Sequence, residues 1–484
     1  MAQRGQQMEE QQASSEPAPA AAPKSKALWV AVAVIVVAVV VLAAAVFGGL
    51  FAPGKSQLRI GTLLSLTGGL SLFGPGDTKA GNLAVDEINK AGGVLGQPVL
   101  IYNEDDQTNP TAAQAAATKL ITQNHVNAIV GAQFSGGSLA AIKTAGDNGV
   151  VMVSPSATSV KLSDLATTGG WFFRTISSDA LQGAVAGSYL YTNASFRYAT
   201  AFVINNPYGV GLGATFKSKF TALGGTVNDT IAIPEAQQDY TSYLAQLFNT
   251  NPQVVYFVGY PDTGLTVMKQ WQEQRASHGG AWDKQWVFSE GLQDQVFVDQ
   301  LRGVNVDVTK IWGTAPAAPV SSLYNDFVTR YKAAYFDQAP QLYASHTYDA
   351  VYMICLAAQK AGAVDGASIK AQLRAISGGT SSTGTVINGG QWSKALSTIA
   401  GGGTVNWEGA SGTENLNATN DPAKGSYEVW GVNSTFKISR VAFFGEDLVQ
   451  PVSPMTASAA SVPGSGIPGA FLVQVRAPTA TRRA

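Results

Sequence analysis

The sequence predicts an α/β protein with parallel sheets built from strand–helix–strand units, preceded by one N-terminal transmembrane helix. Three observations carry this expectation. Short apolar runs of strand length alternate with segments of helical periodicity from about residue 57 to 313. Hydrophobic residues make up 45% of the 484, enough for a large core. The segment 27–52 is almost wholly apolar and carries no charged residue.

Residues 1–26, rich in Gln, Ala, Pro and Ser, read as a disordered tail. The apolar segment 27–52 is long enough to cross a hydrocarbon core of about 30 Å. It is flanked by Lys24 and Lys26 before and Lys55 after, a weak orientation signal. A cleaved signal peptide ending near Ala43–Ala45 is the alternative, but its apolar region would be only about 7–15 residues. The longer run favours an uncleaved single-pass anchor, with the rest of the chain outside the cytoplasmic membrane. The single cysteine, Cys355, is remote from this segment, so a lipid-modified cysteine is excluded. Sequons begin at Asn193, Asn228, Asn417 and Asn433.

The body then alternates. LRIGTLLSL (58–66) reads as a buried strand, and Ala80, Leu83, Ala84 and Ile88 repeat at helical spacing until Gly92-Gly93. PVLIYNEDD is the next strand, and Asn109-Pro110 is an N-cap and N1 pair opening a helix. Strand VNAIVG, a helix from about 137 and strand VVMVS follow. The second half repeats the pattern: strand 198–205, helix 211–223, strand 254–259, helix 264–275 and strand 286–289. Residues 321–377 read as helical, 380–444 as Gly-rich with short strand-like pieces, and the stretch from 446 to 484 as a low-complexity tail. Two α/β halves, 57–175 and 176–313, are therefore expected, with a third stretch packed on them.

Several chemistries are excluded. Lys+Arg is 31 against Asp+Glu 32, a net charge of -1 without the basic excess of a nucleic-acid binder. There is no P-loop and no G-x-S-x-G elbow. GVGLGA (209–214) lacks the third glycine of a dinucleotide turn and reads as a helix opening. One Cys and three His (His125, His278 and His346, which lies beside a helix start) leave no metal-ligand spacing and no expected metal or cofactor. Glu104-Asp105-Asp106 reads as capping or solvated acids, and Cys355 as a buried small hydrophobe. The loops after the strands carry Gly, Ser, Thr, Tyr and Phe, and ligands bind at such strand ends in open α/β sheets. Taken alone, Ser135 and Thr158 read equally as helix caps, and Glu290 as a surface acid.

The motifs IGTLLSLTGGLSLFG, INKAGGVLG, AIVGAQFSGG, VVMVSPSATS, WFFRTISSDALQG, INNPYGVG and FSEG occur in an order that resembles the type I periplasmic binding proteins, specifically the branched-chain amino-acid (Leu/Ile/Val-type) receptors of ABC importers. The resemblance covers roughly 57–445. It implies two Rossmann-like lobes joined by three crossovers: 57–175 with 314–420, and 176–313 with 421–445. It also implies a non-enzymatic receptor that closes on a small neutral α-amino acid, of branched-chain or aliphatic type, and hands it to ABC permease subunits. Ser135 and Thr158 match positions that hold the ligand carboxylate, Ser156 matches one whose main-chain groups serve both ends of the zwitterion, and Glu290 matches the acceptor of its ammonium. Tyr208 and Tyr260 match tyrosines that close over the ligand. Phe73, standing where relatives often carry Tyr, is expected as an apolar wall. Phe134 and Tyr348 are expected as side-chain pocket walls, with Gln133 at the rim. Two other readings stay open: a sensor of the same fold, and a binding protein for a short amide or an aromatic or organic acid.

Overall fold

A computed structural model describes residues 56–317, 319, 321–378 and 383–446. The expected tail 1–26, the expected anchor 27–52 and all but the first residue of the expected tail 446–484 lie outside those residues. Among the described residues, no helix is long and apolar enough to cross a membrane.

Five short strands open the fold: β1 (Arg59–Leu64), β2 (Leu100–Asp105), β3 (Ala128–Gly131), β4 (Val151–Ser154) and β5 (Phe172–Arg174). They form a parallel sheet in the order β2-β1-β3-β4-β5. The next five are β6 (Tyr198–Ile204), β7 (Thr226–Ile233), β8 (Val254–Val258), β9 (Gln285–Phe288) and β10 (Ile311–Pro316). After a small parallel ribbon of β11 (Thr385–Ile387) and β12 (Val405–Trp407) come β13 (Tyr427–Val432) and β14 (Ile438–Phe444). The second sheet runs β14-β13-β10-β9-β8-β6-β7, parallel except where β13 joins β10 and β14 antiparallel. β3, β4 and β8 are buried along their whole length, as parallel strands with helices on both faces must be.

Local chemistry sets the helix starts. Asn109 caps Pro110–Thr122, accepting from the amides of Thr111 and Ala112 at 2.9 and 3.1 Å. The same pair recurs at Asn206-Pro207, where Asn206 accepts from Gly209 N at 2.8 Å. It starts a helix at 207 rather than at the expected 211. Pro261 likewise starts a helix ahead of the expected 264. Proline suits the first helical position because its fixed φ is already helical and its missing N–H is not needed there. A short helix, Trp392–Ala400, lies inside the stretch that reads as Gly-rich strand pieces. Flanking glycines mask its periodicity, and a core contact anchors it: Trp392 Nε1 donates to Gly93 O at 2.9 Å. The helix Ala344–Ala361 is buried nearly all round, packed on β3, β4 and the helix Gly74–Lys90.

The chain passes between the sheets three times: after β5, after β10 and before β13. The second passage follows Pro316, so β10 holds the chain in the second sheet past the expected boundary at 313. The passages are bonded to one another, Ser177 Oγ donating to Lys424 O at 2.9 Å and Ala317 N to Ser426 O at 2.8 Å. Arg174, at the end of β5 and fully buried, ties them to the first sheet. Its Nε donates to Asp421 Oδ1 at 2.7 Å, Nη1 to the carbonyls of Ala157 and Ser159 at 2.9 and 3.2 Å, and Nη2 to Ser163 Oγ at 2.7 Å.

Removing one partner of a buried ion pair leaves the other charge uncompensated, at a cost of about 3–5 kcal/mol. Arg174→Met is therefore expected to lower unfolding free energy by about that amount, read by urea denaturation with tryptophan fluorescence. Lys143→Ala, which breaks the exposed Lys143–Asp147 pair, is expected to stay within about 1 kcal/mol of the parent.

Candidate functional site

The carboxyl ends of the strands of both sheets meet at one narrow cavity, lined by Leu70, Gln133, Phe134, Ser135, Ser156, Thr158, Tyr208, Tyr260, Glu290, Gly291 and Tyr343. Eight of the ten residues expected from the sequence are therefore together. Two larger grooves elsewhere hold none of the ten. The cavity walls stand close, because the two halves touch across it: Ser159 Oγ donates to Pro207 O at 2.9 Å.

One end of the cavity is built from hydroxyls and helix-start amides. Ser135 is the first residue of the helix Ser135–Asp147, and Phe134 before it provides no side-chain cap. The first-turn amides of that helix thus remain available to an acceptor. Glycine at 137 leaves room for the Phe134 ring, to which a Cβ there would come within 2.6 Å. Ser135 Oγ accepts from Ser159 N at 3.1 Å, and Ser156 Oγ donates to Gln133 O at 2.6 Å. Arg174 fixes this loop from beneath through the carbonyls of Ala157 and Ser159, so its charge is spent on the scaffold.

The other end is acidic. Glu290, in the turn after β9, is 2% exposed and accepts from Gln182 Nε2 at 2.5 Å. Burial pushes its carboxyl up to about 7. Asp179, the first residue of the helix Asp179–Ser188, is fully buried beside it. Burial and the neighbouring Glu290 charge hold its carboxyl well above the usual range, with Thr158 and Arg174 pulling weakly the other way. Neither Asp179 oxygen has a hydrogen-bond partner among the described residues. Tyr208 and Tyr260 stack in parallel, 5.6 Å apart and 3° from coplanar, and Tyr208 Oη donates to Ser289 Oγ at 2.8 Å. Burial raises both phenols, and the two carboxylates raise them further.

Two expected wall residues lie elsewhere. Tyr348 faces the interior of the first half: its hydroxyl accepts from Arg330 Nη1 at 2.7 Å and donates to Glu87 Oε2 at 2.5 Å. Tyr343 takes the wall position instead; the two are five residues apart, about 140° around a helix axis. Phe73 sits behind the wall, edge-on to Tyr343 with ring centroids 5.3 Å apart. Gln133, expected at the rim, is in the wall but only 1% exposed. The sequence reading missed Asp179, Gln182, Leu70, Gly291 and Tyr343. Asp179 and Gln182 carried a usable signal, a three-residue spacing that puts an acid and an amide on one helix face. His346 is not at the cavity: its Nδ1 pairs with Thr175 O at 2.9 Å, and burial lowers its imidazole to about 4. Glu104 pairs with Lys119, and Asp105 and Asp106 accept from backbone amides and hydroxyls, the capping roles expected. Burial pushes the Cys355 thiol up, as an inert core residue requires.

Residues 57–400 match the family model described as periplasmic binding protein. The chain is 34% identical over 221 residues to the Leu/Ile/Val-binding protein BraC3 of Rhizobium johnstonii, an alignment that covers 44% of this chain and spans 58% of that relative's length. Its fold is similar to a leucine binding protein of Thermotoga maritima, with TM-score 0.66, 24% identity, and coverage of 81% of this chain and 99% of that one. It is also similar to a solute binding protein of an ABC transporter from Rhodopseudomonas palustris in complex with 3,4-dihydroxy benzoic acid, with TM-score 0.63, 20% identity, and coverage of 81% and 98%.

The raised Glu290 carboxyl has a consequence for stability. Its folded pKa of about 7 lies above the ordinary 4.5, so the folded state holds the proton more tightly. The stability it contributes is complete below about 4.5 and is lost as pH rises through about 7. In ligand-free protein, Glu290→Gln is expected to flatten the fall in stability between about pH 5 and pH 8, by at most about 3 kcal/mol. Thermal melts of both proteins across that range check it; an unchanged slope in the variant counts against the burial of this carboxyl.

Proposed function

The chain belongs to the periplasmic binding protein family, and we propose that it is the extracytoplasmic solute receptor of an ABC importer, binding a small neutral α-amino acid between its two sheet-bearing halves. Members of this family are solute-binding proteins rather than enzymes. The observation that carries the ligand class is the bipolar site: Glu290 in the cavity wall with Asp179 buried beside it, and hydroxyls and uncapped helix amides elsewhere in the wall. Asp179, whose two oxygens have no partner among the described residues, and Glu290 beside it call for a cation, and a buried ammonium calls for acceptors. Helix-start amides and the Ser135 and Thr158 hydroxyls suit a carboxylate. Both ends of a zwitterion are served, and the stacked Tyr208 and Tyr260 rings cover its backbone. The Leu/Ile/Val-binding relative favours this class.

The Rhodopseudomonas palustris neighbour supports a second reading, an aromatic acid held by its carboxylate at the Ser135 end. Such a ligand leaves Asp179 and Glu290 without a cation, which the first reading does not. Segment 27–52 fits a membrane tether that keeps the receptor beside its permease subunits.

Calorimetry of the detergent-solubilised full chain against amino acids and benzoates separates these readings. An amino acid at 100 times its Kd adds about 2.7 kcal/mol of stability. Glu290→Ala is expected to weaken amino-acid binding by about 2 kcal/mol or more, a thirtyfold loss or greater. Benzoate binding with no amino-acid binding reverses the order of the two readings. For the tether, mass spectrometry of membrane-bound protein is expected to find the N-terminus intact; a new terminus after Ala45 makes the segment a signal peptide.

A further inference from the structure

Gln133 stands out among the wall residues because its polar atoms are almost all committed. Its backbone N donates to Asp106 Oδ2 at 2.9 Å and its carbonyl accepts from Ser156 Oγ at 2.6 Å. Its side-chain Nε2 donates to Asp77 Oδ2 at 2.7 Å. The remaining atom, Oε1, has no partner among the described residues, although the residue is 1% exposed and forms part of the cavity wall. Asp77 behind it is fully buried, and its Oδ1 is also without a partner. The surrounding wall is otherwise hydrocarbon and aromatic, from Leu70, Phe134 and Tyr343. Oε1 is already out of reach of water, so an aliphatic ligand side chain against this wall would leave it without a bond, and a buried acceptor left unpaired is costly.

We propose that Gln133, fixed by Asp77 and Asp106, is a specificity residue that selects amino acids whose side chain carries an uncharged hydrogen-bonding group, a hydroxyl or an amide. The inference rests on the amino-acid reading of the cavity and narrows it away from the purely aliphatic side chains expected from the sequence. Burial holds the Asp77 carboxyl up at about 8, so near neutral pH this corner carries little negative charge to favour a cationic side chain. A site built to bond a polar group discriminates strongly against the isostere that lacks it, whereas an apolar pocket separates the same pair weakly.

The test uses isosteric pairs, L-threonine against L-valine and L-asparagine against L-leucine, titrated by calorimetry into the full chain. In at least one pair the polar member is expected to bind tenfold or more tightly than its apolar partner. Gln133→Leu is expected to bring that ratio to one or below. Ratios near or below one in both pairs overturn the proposal, as does a Gln133→Leu protein that binds with the parent's ratio. If the variant does not fold, the parent's two ratios decide alone. Binding of amino acids without a polar preference removes this inference and leaves the amino-acid reading standing; failure of every amino acid to bind removes both.

Discussion

The buried guanidinium of Arg174 is the interaction on which the binding architecture depends. From one position it holds Asp421 beside the third passage between the sheets, the Ala157 and Ser159 carbonyls of the loop that lines the cavity, and Ser163 beyond. Arginine suits this task because its donors sit in a rigid planar fork. A lysine in its place would offer a point charge and lose the geometry. With the loop pinned from beneath, Ser156, Thr158 and Ser159 present their polar groups at fixed positions. Ser159 then reaches across to Pro207, so the same anchored loop also joins the two halves.

The fold was legible because its signals are local and repeated. Asn-Pro pairs at helix starts, glycines at helix ends and wholly apolar strands each act within a few residues, and the structure reproduces them. Trp392–Ala400 escaped because nine residues between glycine clusters show too little periodicity, and its stability comes from Gly93, about three hundred residues away in the chain. The site divides the same way. Residues directly after strands, such as Ser135, Thr158, Tyr208 and Glu290, could be placed from the strand-end rule and the family motifs. Tyr343 and Tyr348 could not be told apart, because both lie near one helix start and only tertiary packing decides which faces the cavity. Asp179 looked like an ordinary first-turn acid, and its role emerges only when the fold brings Glu290 beside it.

The acidic end is unusual for a chain so sparing of charge, in which only 13% of residues are Asp, Glu, Lys or Arg. That scarcity matters. No lysine or arginine side chain forms an ion pair with Asp179 or Glu290 among the described residues, and Gln182, which does reach Glu290, is neutral. A cationic side chain here would satisfy the carboxylates permanently and leave nothing for a ligand to supply. The field of the pair reaches further: burial raises Tyr256 and Tyr427 first, and both carboxylates push them the same way. Both phenols therefore stay neutral, and a cation entering this region pairs with the two carboxyls alone.

This arrangement ties ligand identity to closure. Ser135, Ser156 and Thr158 follow β3 and β4 of the first sheet, while Glu290 follows β9 of the second, with Asp179 at the head of the helix leading into it. A ligand shifts a conformational equilibrium only by its difference in affinity for the two states. An organic acid bonded through its carboxylate alone interacts mainly with the first half, and closing over it would confine two carboxylates without a cation. A zwitterion has one charged end for each half, so its full set of bonds exists only when the halves are together. In this reading the α-ammonium does more than add affinity. It pairs with Asp179 and Glu290, which burial otherwise holds toward their protonated forms, and so favours the form in which the halves are together.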